Sequence, residues 1–488
     1  MILIVQCIYL YAASLKWERN SEKGSDFCFV YKILCNESGN QDNCITTAGI
    51  GVFVEVYTLR KMDRQLTIGS LNKLIVNMWE QRFSSIVKNK HFQRLILANM
   101  LWSFTHFAFV LVSGWVVFLL TNSAVKVILL TFFQFSALPI VGLFAGALID
   151  RVGNRTIMLV SQTIYTVVFL CIAALLYLEI LAFWHLATAA VVTGLCWAID
   201  WPARRSILAY VVGEENVSDG YIVDYSIQTL GRVFGSAAAG IITKVLGEVW
   251  SYVGFAVLSF LAIIMIANLI NYKLETKSRK DSAEAKIPIS AVWKYVSGDN
   301  VILGVLIVTM CVNFFVVPNR SLFPVFASTV LKGDALYLGY LALSYSLGGF
   351  LGIFLSYWGL VYYKNTNLFI FGSILQAIAF AFFSLSSLLV LSVIIMFLSG
   401  IGSGYFGVLQ SEILLTHTEK HMRNSVFGWL VVAIGLQPLG RLSLSAVTSM
   451  VGARFALGGT STIACLLLIL TALRLSGFWQ SIAEKSSG

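Results

Sequence analysis

Between two apolar runs, each long enough to cross a bilayer, the chain places a short polar hinge: Gly146-Ala147-Leu148-Ile149-Asp150-Arg151-Val152-Gly153-Asn154-Arg155. The runs cover 125–149 and 156–178. Each exceeds the roughly 20 residues a helix needs to span a ~30 Å hydrocarbon core. A turn this short between two membrane helices puts both arginines on one face of the membrane, which leaves open which face that is and what the acid does there.

Composition extends the reading to the whole chain. Only 12% of the 488 residues are charged and 58% are hydrophobic, with a mean hydropathy of +0.81. An ordinary soluble domain carries about 25% charged residues, so a polytopic membrane protein is expected. The net charge of +10 does not point to nucleic acid, because the basic residues are scattered between apolar blocks instead of gathering on one solvated domain. Cys171, Cys196, Cys311 and Cys465 sit inside apolar runs and read as buried small hydrophobes. Cys28, Cys35 and Cys44 match no zinc or redox spacing, and neither a metal nor a cofactor is expected.

Hydropathy places spans at about 95–120, 125–149, 156–178, 181–202, 218–246 and 249–271. After a polar linker, six more follow at about 299–328, 335–361, 367–387, 389–412, 424–450 and 453–475. The expected fold is therefore all-α, with twelve transmembrane helices, numbered here in chain order, in two pseudo-symmetric six-helix bundles. The corresponding divisions are an N-terminal extension, 1–90, a first bundle, 91–271, a linker, 272–296, a second bundle, 297–476, and a tail, 477–488. The extension is assigned no role, and Met78 would make a natural start of the chain. Counting Lys and Arg by loop gives 23 on the side of the linker and only Lys126, Lys244, Lys332 and Arg454 on the other. The positive-inside rule then makes the linker and both ends of the transport body cytoplasmic.

Arg232, Arg320 and Arg441 fall inside spans. An arginine at mid-membrane costs at least ~2.5–3.5 kcal/mol on insertion scales, so each is expected to face a cavity or a partner. Arg232 and Arg441 both follow Leu-Gly, in helices 5 and 11, consistent with two parallel repeats. His106, near the middle of helix 1, is either hydrogen-bonded to a neighbouring helix or a protonation site. Asp224 lies eight residues before Arg232, ~12 Å of helical rise, too far for a direct pair, and is assigned to Arg205 or the gate. Helix 7 carries Asn313, Pro318, Asn319, Arg320 and Pro324. Two prolines so close interrupt the hydrogen-bond ladder, and irregular backbone at membrane depth is tolerated where it lines a cavity. Helix 7 is thus the first candidate for gating and substrate contact. Gln134 and Gln437 are candidate cavity groups, within a cavity expected to be mostly apolar. Gly231, Gly235 and Gly240 have the small-residue spacing of close helix packing.

The hinge resembles the loop between helices 2 and 3 of the major facilitator superfamily, G-x-L-x-D-R-x-G-R-R: Gly146, Leu148, Asp150, Arg151, Gly153 and Arg155 match, and Asn154 departs. Trp201-Pro202-Ala203-Arg204-Arg205 looks like the P-A-R-Q segment of the drug and siderophore exporter branch (enterobactin-exporter-like). Met422-Arg423-Asn424-Ser425-Val426 and Pro438-Leu439-Gly440 are similar to that branch's segments around helix 11. Helix 5 keeps the Arg and Gly of its N-x-x-R-x-x-G-P pattern but lacks the Asn and Pro. The resemblance spans about 80–475. It implies a multi-pass carrier of the bacterial cell membrane, without enzymatic activity, expected to act as a monomer. Such a carrier would export an amphipathic small molecule by alternating access, with protons as the coupling ion. It also implies a cytoplasmic gate in which Asp150 meets Arg204 and the start of helix 11. An importer or facilitator on the same fold is the alternative, and a non-transporting membrane partner or sensor is a second. No G-x-x-x-x-G-K-[ST] loop is present, so the chain cannot hydrolyse ATP by that route.

Overall fold

The computed structural model describes residues 86, 88–137, 141, 148–149, 151–213, 216–269, 289–359, 365–419 and 422–474. The expected extension therefore lies almost wholly outside the described residues, as do Gly146, Asp150, much of the linker and the tail.

Regular structure among the described residues is helical throughout. Helix 1 is Lys90–Thr121, helix 2 opens with Ala124–Ser136, helix 3 is Asn154–Tyr177 and helix 4 is Phe183–Val212. Helices 5 and 6 are the two limbs of Val217–Ala267, broken at Gly247. A short helix, Ile289–Gly298, precedes helix 7, Asn300–Val330. Helices 8, 9 and 10 are Ala335–Gly359, Asn365–Leu385 and Leu389–His417. Helix 11 comprises Arg423–Ile434 and the first limb of Gln437–Arg474, whose second limb, beyond Gly452, is helix 12. The described residues thus supply eleven membrane-length segments and the first half of helix 2.

Glycine decides where the chain turns. Gly247 and Gly452 have φ of 85° and 82°, in the left-handed region that a Cβ disfavours. They stand at the same joint of the two halves, between helices 5 and 6 and between helices 11 and 12. Gly153, φ 89°, opens helix 3 in the same way.

One element departs from the sequence reading. Helix 4 continues through Pro202 to Val212 instead of ending at the proline. The proline deletes one ladder bond, but Arg204, beyond it, donates through Nε to Asp200 at 2.7 Å, tying together the turns on either side. Helix 7 is irregular as expected: after Asn300–Cys311 it passes through a π turn, Val312–Val316, a 3₁₀ stretch, Val317–Leu322, and a second π turn, Phe326–Val330. Cys171, expected inside, is exposed. It shares the outer surface with Val160, Val167, Phe260, Phe382 and Leu466, each about half exposed. An apolar surface of that extent suits lipid.

The bundles meet where helix 5 packs on helix 8 and helix 11 on helix 2. Among the described residues, three side-chain hydrogen bonds cross this boundary. Thr131 pairs with Ser321 at 2.7 Å, Ser236 with Ser346 at 3.2 Å, and Lys244 donates to Asp334. All three lie in the half of the fold nearest the loops that are poor in Lys and Arg. There a Cβ on Gly240 would sit 2.6 Å from the Gly339 Cα, and one on Gly114 would sit 3.1 Å from Pro324 Cγ. This end of the interface is closed by backbone contact.

Lys244–Asp334 is the exposed rim of that closure. The Lys244 ammonium, helped by the Leu336 N–H, holds the Asp334 carboxyl below its ordinary pKa. A depressed carboxyl adds stability above its ordinary pKa and loses it as the pH falls through the depressed value. Solvent screens so open a pair, which is worth well under ~1 kcal/mol. Asp334→Asn is therefore expected to cost well under ~1 kcal/mol at neutral pH and to lose that difference in acid, where the wild-type carboxyl is uncharged as well; a difference that persists in acid would refute the pairing.

Candidate functional site at the bundle interface

Two polar constellations stand out, one inside the first bundle and one between the bundles. The first centres on Arg204, only 1% exposed. Its Nε donates to Asp200, its Nη1 to Asn99 Oδ1 at 2.9 Å, and its Nη2 to Gln162 Oε1 at 3.0 Å. One guanidinium face lies 4.9 Å from the Trp102 ring. Asn99 Nδ2 donates in turn to Asp224 at 2.7 Å, Gln228 donates to the other Asp224 oxygen at 2.6 Å, and Gln162 donates to Ser259 at 2.9 Å. Helices 1, 3, 4, 5 and 6 are joined by this network. A buried pair is tolerated only when its remaining donors and acceptors are also satisfied, which is the service Asn99 and Gln162 perform.

The sequence reading put Arg204 at the gate and Asp224 on Arg205 or at the gate. Asp224 reaches Arg204 through Asn99, while Arg205 stacks on Trp201 at 4.1 Å and is exposed. Arg155 donates to the Ile266 and Ala267 carbonyls that end helix 6, where a cation meets the negative end of the helix dipole. Asn154 is buried, with its amide 3.3 Å from Ser206. Arg151 is exposed. Gly231 and Gly235 admit helix 1: a Cβ on either would lie 2.7 Å or 2.5 Å from the Met100 or Phe104 carbonyl oxygen. Gly440 admits helix 7 in the same way, 2.2 Å from the Phe314 oxygen. Helices 1 and 7 are the first spans of their halves, so the shared Leu-Gly-Arg tripeptide marks an equivalent packing position.

The second constellation holds the three intramembrane arginines. Arg232 lies 4.5 Å from the Phe107 ring of helix 1, Arg320 lies 5.5 Å from the Tyr345 ring of helix 8, and Arg441 lies 4.2 Å from the Phe135 ring of helix 2. The last contact crosses the bundle boundary. Ser236, one turn beyond Arg232, pairs with Ser346, next to Tyr345, across the boundary. Arg441 touches Gln437 Oε1 at 3.4 Å, Gln437 donates to Asn313 Oδ1 at 2.7 Å, and Asn313 donates to the Thr309 carbonyl. The Nε atoms of Arg232 and Arg441 are buried without an acceptor. Tyr345 is held by Gln376 at 2.8 Å. Tyr345, Phe107 and Phe135 were not singled out in the sequence, because an aromatic in an apolar helix carries no signal until its neighbour is known.

Other candidates are placed elsewhere. Asn319 is fully buried against helix 12, between Ser461 and Thr460, and serves as interhelical glue. Pro318 is buried and Pro324 packs on Gly114. Gln134 is buried with an unpaired Nε2. His106 is 4% exposed, its ring stacked between Trp102 and Trp197 at 5.5 Å and 5.9 Å. Glu412 accepts from Asn365 at 3.2 Å.

Two helical bundles with polar residues on their shared boundary and lipid-compatible outer faces define a membrane carrier fold. The chain belongs to the Major Facilitator Superfamily, whose family model matches residues 95–439. It is similar to the staphyloferrin A transporter of Staphylococcus aureus (strain NCTC 8325 / PS 47), at 22% identity over 373 residues, covering 73% of this chain and 89% of that protein. Among solved structures it resembles the nucleoside transporter NupG in a mutant form, at 14% identity and a TM-score of 0.64, over 80% of this chain and 100% of that one. It also resembles a D-xylose–proton symporter, at 13% identity and a TM-score of 0.62, over 80% and 97%.

Proposed function

We propose that this membrane transporter is a secondary active exporter of an amphipathic small molecule, of the siderophore or drug type, driven by proton exchange. One observation carries the reading: the bundles are closed over one half of their interface, and a charged, unsatisfied group of residues lies on that interface. A solute bound there passes from one side to the other when the bundles rock. The likeness to a staphyloferrin A transporter supports a siderophore-type cargo, and the helix-5 glycines support export. On the charge count, the Lys244–Asp334 end faces outward, and both ends of the transport body face the cytoplasm of the cell membrane. The chain acts as a monomer in this reading.

The cytoplasmic gate is assigned to Gly146, Asp150, Arg151, Gly153, Arg155, Arg204 and Arg205, with Asp150 as the latch. An anion there is favoured by the positive end of helix 11. Asp150→Asn is expected to insert normally and to lower flux at least tenfold; near wild-type flux would reject the latch. The function itself is tested in everted vesicles with a panel of dyes and iron chelators, with and without a proton gradient. Uptake that needs the gradient supports proton-coupled export. Gradient-independent flux would sink the coupling, and uptake only in right-side-out vesicles would make the chain an importer.

A further inference from the structure

The three arginines on the bundle boundary are short of partners. Among the described residues, no carboxylate pairs with any of them, and the ion pairs found are Arg204–Asp200 and Lys244–Asp334. Arg232 makes no hydrogen bond there; its contact is the Phe107 ring. Arg320 has one long bond, to the Val317 carbonyl at 3.4 Å. Arg441 is 4% exposed and shares one amide oxygen, at 3.4 Å and 3.5 Å, between its two terminal nitrogens. A guanidinium has five N–H donors, so most of them are unspent in all three.

The aromatic rings explain the arrangement without satisfying it. A cation over a ring gains about 0.5–2 kcal/mol, less than the several kcal/mol that burying a charge costs. The ring covers a face of the guanidinium and leaves the N–H edge free, and that edge matches carboxylate and phosphate oxygens two at a time. Ser236, one turn beyond Arg232, bonds Ser346 beside the Tyr345 ring that Arg320 faces, which places Arg232 at the same part of the boundary. Contrast Arg204, whose charge is matched by Asp200 and whose neighbours absorb its remaining donors. The first bundle shows how this chain satisfies a structural arginine, and the boundary arginines are not treated that way.

We propose that Arg232, Arg320 and Arg441 bind the transported molecule, and that this molecule carries two or more carboxylate or phosphate groups. The inference rests on the carrier reading above and names the substrate class for it. Arg232 belongs to the first bundle, and Arg320 and Arg441 belong to the second, so a multivalent anion bridges the two. Such a ligand binds best when both sets of N–H edges are within reach, and it draws the bundles together by that differential affinity. Asn313 and Gln437 hold Arg441 in place as positioning residues.

The test is binding to the purified full-length protein at matched ionic strength, with citrate, fructose 1,6-bisphosphate and glucose as probes. Citrate or fructose 1,6-bisphosphate is expected to raise the melting temperature saturably, and glucose is not. Which of the two anions binds tells carboxylate from phosphate recognition. Arg320→Gln, Arg232→Gln and Arg441→Gln should each weaken that binding at least tenfold, and Arg320→Lys should recover part of it. No saturable effect of either anion on the wild type overturns the proposal, as does wild-type affinity in all three glutamine variants. If one variant fails to fold, the other two decide. Saturable anion binding without vesicle flux would sink the carrier reading and leave the site standing. Gradient-driven flux of neutral or cationic dyes without anion binding would sink this inference alone.

Discussion

Exchanging Arg204 for methionine should lower the stability of the folded protein by about 3–5 kcal/mol, the cost of stranding a buried charge by removing its partner. Asp200 is 0% exposed, and one of its oxygens already lacks a hydrogen bond. Without the guanidinium it has no counter-charge, and Asn99 and Gln162 each lose a donor. A second substitution in the same chain, Asp200→Asn, removes the stranded charge, and the double variant should regain a substantial part of the loss. Melting of the purified protein in one detergent, with all four combinations of the two positions, gives the coupling directly. A single variant within about 1 kcal/mol of the wild type would show that the network is not structural.

The same network shows what the sequence could and could not reveal. Asp200, Arg204 and Asp224 are visible as charges in apolar surroundings, and burial of such groups implies partners. Partners from other helices come from helices 1 and 3, and no spacing along one chain announces that Asn99 and Gln162 will meet the same guanidinium. The sequence offered only local readings, Arg204 at the gate and Asp224 on Arg205 or the gate. Helix boundaries were legible where a local rule acts: at Gly247 and Gly452 the polar break and the glycine coincide, and both turns fall where hydropathy placed them. At Pro202 the local rule failed, because a tertiary contact, Arg204 on Asp200, holds the helix together across the missing bond.

The boundary arginines lie between these cases. Their cost in hydrocarbon marked them as residues needing a cavity or a partner, before any neighbour was known. Their convergence on one interface was not legible, because it depends on how the two repeats pack. Asn319 and Arg320 are adjacent in helix 7, yet the irregular turns there send Asn319 to helix 12 and Arg320 toward Tyr345. Sequence proximity said nothing about which of them would face Tyr345 and which would pack on helix 12.

The last prediction separates packing within a bundle from packing between bundles. Gly235→Leu and Gly240→Leu are the same chemical insult, five residues apart on helix 5. At Gly235 the new Cβ would sit 2.5 Å from the Phe104 oxygen of helix 1, and at Gly240 it would sit 2.6 Å from the Gly339 Cα of helix 8. Overpacking strain is typically about 1–3 kcal/mol. Within the first bundle nothing can relieve it, so Gly235→Leu should destabilise the fold by roughly that amount. Between bundles, rocking relieves it, so Gly240→Leu should melt near the wild type while moving the open–closed equilibrium by about tenfold per 1.4 kcal/mol. Ser236, 4% exposed and paired with Ser346 across the boundary, reports on that equilibrium. With the eight native cysteines replaced, a Ser236→Cys probe should react with a membrane-impermeant maleimide at least tenfold faster in the Gly240→Leu background. The reagent is applied from the Lys244 side, and flux should fall in parallel. Equal labelling with unchanged flux would mean that this boundary does not open, and alternating access through it would have to be abandoned.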